Sequence, residues 1–116
     1  MDRDLKERTK TFAFEVIKLV SELPKNTAGF ELGKQSIKSG TSVGANYRSS
    51  QRGRSRAEFI SKLSVVQEEA DETVFWLELI MDSELLGSER ILPLLKESNE
   101  LTAIFTSMVI NAKRNS

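Results

Sequence analysis

A chain of 116 residues, 39% of them apolar, is long enough to bury a core of its own as one domain over 1–116. Seventeen basic residues balance 17 acidic ones, so net charge selects no partner and only the distribution of charge is informative. The absence of cysteine excludes a disulfide frame and thiolate metal sites, and the absence of histidine removes the usual zinc ligand and every Ser-His or Cys-His mechanism.

The first helix is predicted over residues 3–22. Leu5, Phe12, Val16, Leu19 and Leu23 form its apolar stripe, which Phe14, Ile17 and Val20 widen. Pro24 stops it, because the residue before a proline is pushed out of the α region. The second helix is predicted over 27–51, capped by Asn26 or Thr27. Phe30, Gly33, Ile37, Thr41 and Gly44 share one face, and Leu32, Val43 and Tyr47 form a second apolar line. Two apolar faces imply two sets of neighbours. Gly33, Gly40 and Gly44 each cost this helix roughly 1 kcal/mol against alanine, and close approach of a neighbouring helix is the expected compensation.

The third helix is predicted over 56–86. It opens on a capping box, Ser55 to Glu58, and ends at Gly87. Its core stripe is Phe59, Leu63, Val66, Ala70, Thr73, Leu77 and Ile80. Its back face carries Glu68 and Glu72 above Phe75, Leu79 and Leu86, with Trp76 alongside. An exposed apolar patch of this kind marks a protein interface, so Phe75, Trp76, Leu79 and Leu86 are candidate subunit-interface residues. The fourth helix is predicted over 89–113, capped by Ser88, with a bend or late start at Pro93. Ile91, Leu95, Ser98, Leu101, Phe105, Met108 and Ala112 form its stripe. Four amphipathic helices joined by short loops give an all-α, antiparallel, up-down-up-down four-helix bundle. No apolar run approaches the ~18 residues of a membrane span. The charged start Met1-Asp2-Arg3-Asp4 lacks a signal peptide's apolar core. A cytoplasmic location is the expectation.

The segments Ser39-Gly-Thr-Ser-Val-Gly-Ala-Asn-Tyr-Arg48 and Arg54-Ser-Arg-Ala-Glu-Phe59, continuing through Glu69-Ala-Asp-Glu-Thr-Val-Phe-Trp-Leu77, carry a resemblance. The chain resembles the bacterial four-helix-bundle family first noticed as reading frames in intervening sequences of large-subunit ribosomal RNA genes. Members of that family are similar to the accessory protein of diversity-generating retroelements, a basic homopentamer that engages nucleic acid and a reverse transcriptase. The resemblance implies a homo-oligomeric, pentameric ring, no catalytic residues and no cofactor. It also suggests a nucleic-acid role, with a reverse transcriptase or another protein as partner. This chain departs from the accessory protein in being neutral overall.

Among charged features the basic turn stands out: Arg48, Arg52, Arg54 and Arg56 fall within nine residues that contain no acid. Helical projection aligns Lys34 and Lys38 with Arg52. Arginine forks match phosphate oxygens, so these six residues are the candidate nucleic-acid contacts. The competing reading pairs the arginines with the acidic stretch from Glu68 to Glu84 of a neighbouring subunit. Tyr47 is the one nearby aromatic that could stack on a base. An enzyme must work with carboxylates alone. Glu69-x-x-Glu72 and Glu97-x-x-Glu100 could hold Mg²⁺ in the manner of an all-α nucleotide pyrophosphohydrolase, a remote alternative because such spacings occur on any solvated helix. The reading is therefore a non-catalytic oligomeric adaptor that binds RNA or DNA through the basic turn. The alternative is a protein-binding scaffold without nucleic-acid contact.

Overall fold

The structure, a computed structural model, describes residues 2–115. Four helices account for nearly all of them: α1 (Asp2–Ser21), α2 (Thr27–Gln51), α3 (Arg56–Asp82) and α4 (Ser88–Arg114). Each helix packs on its neighbour in sequence, and α1 closes against α4. Cross-helix contacts show every neighbouring pair to be antiparallel. Thr9 faces Gly44 and Val16 faces Gly40. Ser39 bonds Thr73, Ala70 bonds Ser98, and Glu22 bonds Arg90. The bundle measures 46 × 20 × 20 Å.

The stripes read from α1, α3 and α4 form the core. Phe12, Val16, Leu19, Leu63, Leu77, Ile80, Ile91, Leu101 and Phe105 are almost wholly buried. Phe14 and Ile17 do not widen the α1 stripe; both are exposed. In α2 the expected faces hold in part: Gly33, Gly44, Val43 and Tyr47 are buried as read, whereas Phe30 is not. Phe30 is 63% exposed, and the covered side runs through Gly29, Gly33, Ser36, Gly40, Val43 and Tyr47. A face of glycine and serine lets α1 come close. A Cβ on Gly40 would lie 2.9 Å from a Val16 methyl, and one on Gly33 would lie 2.9 Å from a Val20 methyl. Close packing therefore offsets the helix cost of these glycines. The polar atoms that this leaves inside are satisfied locally. Thr73 Oγ1 lies 2.8 Å from Ser39 Oγ, and Ser98 Oγ donates to the Ala70 carbonyl at 3.0 Å. Among the described residues no buried side-chain nitrogen or oxygen lacks a partner.

Two boundaries differ from expectation. α3 ends at Asp82, short of residue 86. The Leu85 N–H donates to the Ile80 carbonyl and the Glu84 N–H to the Met81 carbonyl, while Glu84 adopts φ 57°. This is a Schellman stop built on a non-glycine residue, so no glycine marks it in the sequence. Leu85 and Leu86 fold back against the core. At the next helix Gly87, not Ser88, occupies the cap position, and it makes no side-chain cap bond. α4 starts on time and continues through the exposed Pro93 in its second turn.

Ion pairs tie α1 and the turn just after it to α4. The Arg8 guanidinium donates to both Glu97 oxygens at 2.7 Å and to Glu100 at 2.9 Å. Hydrogen bonding to Glu97 chiefly raises its pKa. At the other end the Arg90 guanidinium grips Glu22 at 2.7 and 2.8 Å. That bond holds the Glu22 carboxyl below its ordinary value of 4.5. A carboxylate with a lowered folded pKa contributes stability above its unfolded pKa and loses it as pH falls through the folded pKa. We therefore predict that the Glu22–Arg90 contribution is intact at neutral pH and lost only as pH falls below the ordinary carboxylate range, through the lowered folded pKa. NMR titration should show Glu22 returning toward the ordinary carboxylate value in Arg90→Gln. An unchanged Glu22 titration in that variant would exclude the pairing in solution.

Candidate nucleic-acid interface

The basic turn is placed by three local devices. Tyr47, 1% exposed, packs its ring 5.6 Å from Phe105 and so pins the last turns of α2. Gly53 then lets the chain reverse tightly against α3; a Cβ there would lie 3.2 Å from the Phe59 nitrogen. Finally Ser55 Oγ accepts from the Glu58 N–H at 3.1 Å, and the Glu58 carboxylate reaches back to the Arg54 N–H at 3.2 Å. The glutamate thus bonds one residue before the serine, not the serine amide of an ideal capping box.

These devices bring together only part of the candidate set. Arg48, Arg52 and Arg54 line an open concavity of about 810 Å³ between the end of α2 and the start of α3. Lys62, which the sequence reading missed, joins them there. Its signal was available, because position 62 follows Glu58 by one helical turn and shares the side of α3 that faces α2. Ser49 and Ser61 supply hydroxyls, and Glu58 is the one acid lining the concavity. Among the described residues none of Arg48, Arg52, Arg54 and Lys62 forms an ion pair.

Arg56 turns away from this group. Its guanidinium donates to the Ala112 carbonyl at 3.2 Å, tying the start of α3 to the end of α4. Lys34 pairs with Glu31 at 3.6 Å on the exposed side of α2. Lys38 lies near Glu69, whose carboxyl burial pushes up. Both lysines sit more than two helical turns before Arg48 and do not line the concavity. Tyr47 is core, so it offers no ring to a base.

The neutral total conceals a polar arrangement along the bundle. The end formed by the α2–α3 turn also holds the last turn of α4, with Lys113 and Arg114. The opposite half of α3 carries Glu72, Glu78 and Asp82 with no base among them. There Phe75, 51% exposed, meets Trp76 edge-on at 5.0 Å, and the indole N–H donates to Glu72 at 3.2 Å. Leu79 is half-buried beside them. Leu86 is not part of this patch, because α3 has already ended and Leu86 packs against the core. The paired acidic motifs do not converge either. Glu97 and Glu100 are both held by Arg8 on the α1 side of α4. Glu69 instead faces α2 through Ser42 and Lys38. Among the described residues no three carboxylates gather where a metal ion could bind, and no helix is long and apolar enough to cross a membrane.

Residues 1–107 match the family model described as 23S rRNA-intervening sequence protein. The chain belongs to this family. It is also similar to the crystal structure of a protein with unknown function from the S23 ribosomal protein family of Bacteroides thetaiotaomicron. The two share 34% identity and a TM-score of 0.84, over 90% of this chain and 97% of that one. Among curated proteins the chain has no match. At that TM-score the S23 relative shares the overall fold described above.

Proposed function

We propose that this chain is a non-catalytic, self-associating module that holds RNA or DNA by its phosphates in the Arg48–Arg52–Arg54–Lys62 concavity. The observation that carries the reading is the convergence of four cations from two helices without an ion-pair partner among the described residues. Four like charges held together repel one another, and a polyanion relieves that repulsion. Guanidinium forks suit phosphate oxygens, and the open shape admits a backbone rather than a single enclosed ligand. With Tyr47 buried there is no stacking platform, so recognition is of the backbone and largely independent of sequence. Assembly into a ring would repeat this footprint and raise affinity by linking sites.

The test is fluorescence anisotropy with labelled single-stranded RNA and duplex DNA at two salt concentrations. Wild type and Arg48→Ser/Arg52→Ser/Arg54→Ser are run side by side. Four phosphate contacts predict a slope of log K against log salt of about −3 to −4, or roughly a hundredfold loss from 50 to 200 mM salt. The triple variant should keep its helicity and lose most of both affinity and slope. Absence of wild-type binding at low salt would overturn the reading in favour of a protein-binding scaffold. If the triple variant instead loses its native mass, the arginines pair with acids of a neighbouring subunit.

A further inference from the structure

We infer that the Phe75–Trp76 patch of one copy docks into a second concavity, at the other end of α3, on another copy of this chain. This rests on the self-association proposed above and assigns its contact surface. The second concavity, also about 810 Å³, has Ala57, Ile60, Ser64 and Val65 on its apolar floor. Arg56 and Lys113 stand at its rim, and Glu68 lies at the end nearer the patch. It is separate from the phosphate site, which lies on the α2 side and shares only Ser61 with it.

Patch and concavity complement each other in shape and charge. The patch presents two aromatic rings that a solvated helix has no reason to expose. The concavity offers small residues and short aliphatics that leave room for rings. Acids surround the rings: Asp71, Glu72 and Glu78 are all exposed. Bases border the receptor. The Arg56 fork keeps donors beyond the one given to Ala112, so it can still meet a carboxylate. A chain cannot fill its own concavity, since Phe75 lies fifteen residues, about 22 Å of helix, beyond Ile60. A second copy can.

Light scattering of two variants, alone and mixed, tests this contact. Phe75→Glu disables the patch, and Ser64→Trp fills the concavity. Ala57→Trp, at an exposed position, repeats the second change where Ser64→Trp fails to fold by circular dichroism. Each variant alone should lose the native mass and run as a 13.1 kDa monomer. A 1:1 mixture should restore a two-chain species, because the concavity variant keeps its patch and the patch variant keeps its concavity. If both concavity variants retain the wild-type mass, the receptor surface is elsewhere although self-association stands. If each variant is monomeric and the mixture stays so, patch and concavity do not meet. A monomeric wild type would overturn both this contact and the self-association beneath it.

Discussion

Phe105→Ala is expected to lower folding free energy by roughly 3–5 kcal/mol, the range for emptying a large aromatic site in a packed core. Phe105 is fully buried and tilts against the equally buried Tyr47. Against a total stability of about 5–15 kcal/mol that is a large fraction. The effect should not be confined to the core. Tyr47 immediately precedes Arg48, and its ring is what the end of α2 leans on. Losing Phe105 should therefore fray the last turn of α2 and disperse the arginines as well. Urea unfolding gives the first quantity, and hydrogen exchange at the amides of residues 47–53 gives the second. A destabilised variant whose α2 end stays as protected as the rest of the helix would show that the basic turn is held by something other than this ring pair.

Gly29→Ala is expected to cost roughly 3 kcal/mol, although helix propensity alone predicts a gain of about 1 kcal/mol. A Cβ on Gly29 would lie 1.9 Å from the Pro24 carbonyl oxygen, which is backbone and cannot rotate aside. To make room, the loop between α1 and α2 must move. That movement strains the cap, in which the Gly29 N–H donates to Asn26 Oδ1 at 2.8 Å; such a cap is worth about 1 kcal/mol by itself. Ala28, exposed one residue earlier, supplies the control. Ala28→Gly should cost no more than about 1 kcal/mol. Chemical denaturation of the two variants decides the matter. A neutral or stabilised Gly29→Ala would mean that the loop does not approach α2 this closely.

The arginine turn was legible as a composition: four arginines and no acid in nine residues. Its division was not. Arg54 and Arg56 are two positions apart, yet one lines the concavity and the other bonds the end of α4. Arg54 lies in the turn before the Ser55 cap and Arg56 opens α3, and only knowledge of which neighbour lies on each side tells what each one meets. Lys62 entered the group for the same reason. Lys34 and Lys38 left it because helical projection preserves angle and discards distance along the axis.

The sequence by itself determined the number of helices, the core faces of α1, α3 and α4, and the Ser55 cap, and it narrowed the α2 cap to Asn26 or Thr27, of which the structure uses Asn26. All of these follow from local periodicity and local hydrogen bonding, which a short window of residues contains. Only the tertiary structure decided that α2 buries Ser36 and Ser39 beside the glycines expected to be covered, while exposing Phe30. Hydropathy marks what water rejects, but a face chosen for close approach is chosen for size. It also decided that α3 ends at Asp82, with Glu84 in the left-handed turn beyond it and Leu85 and Leu86 drawn back onto the core. In each case the deciding partner lies on another helix or past a turn, and the backbone follows the packing rather than the residue type.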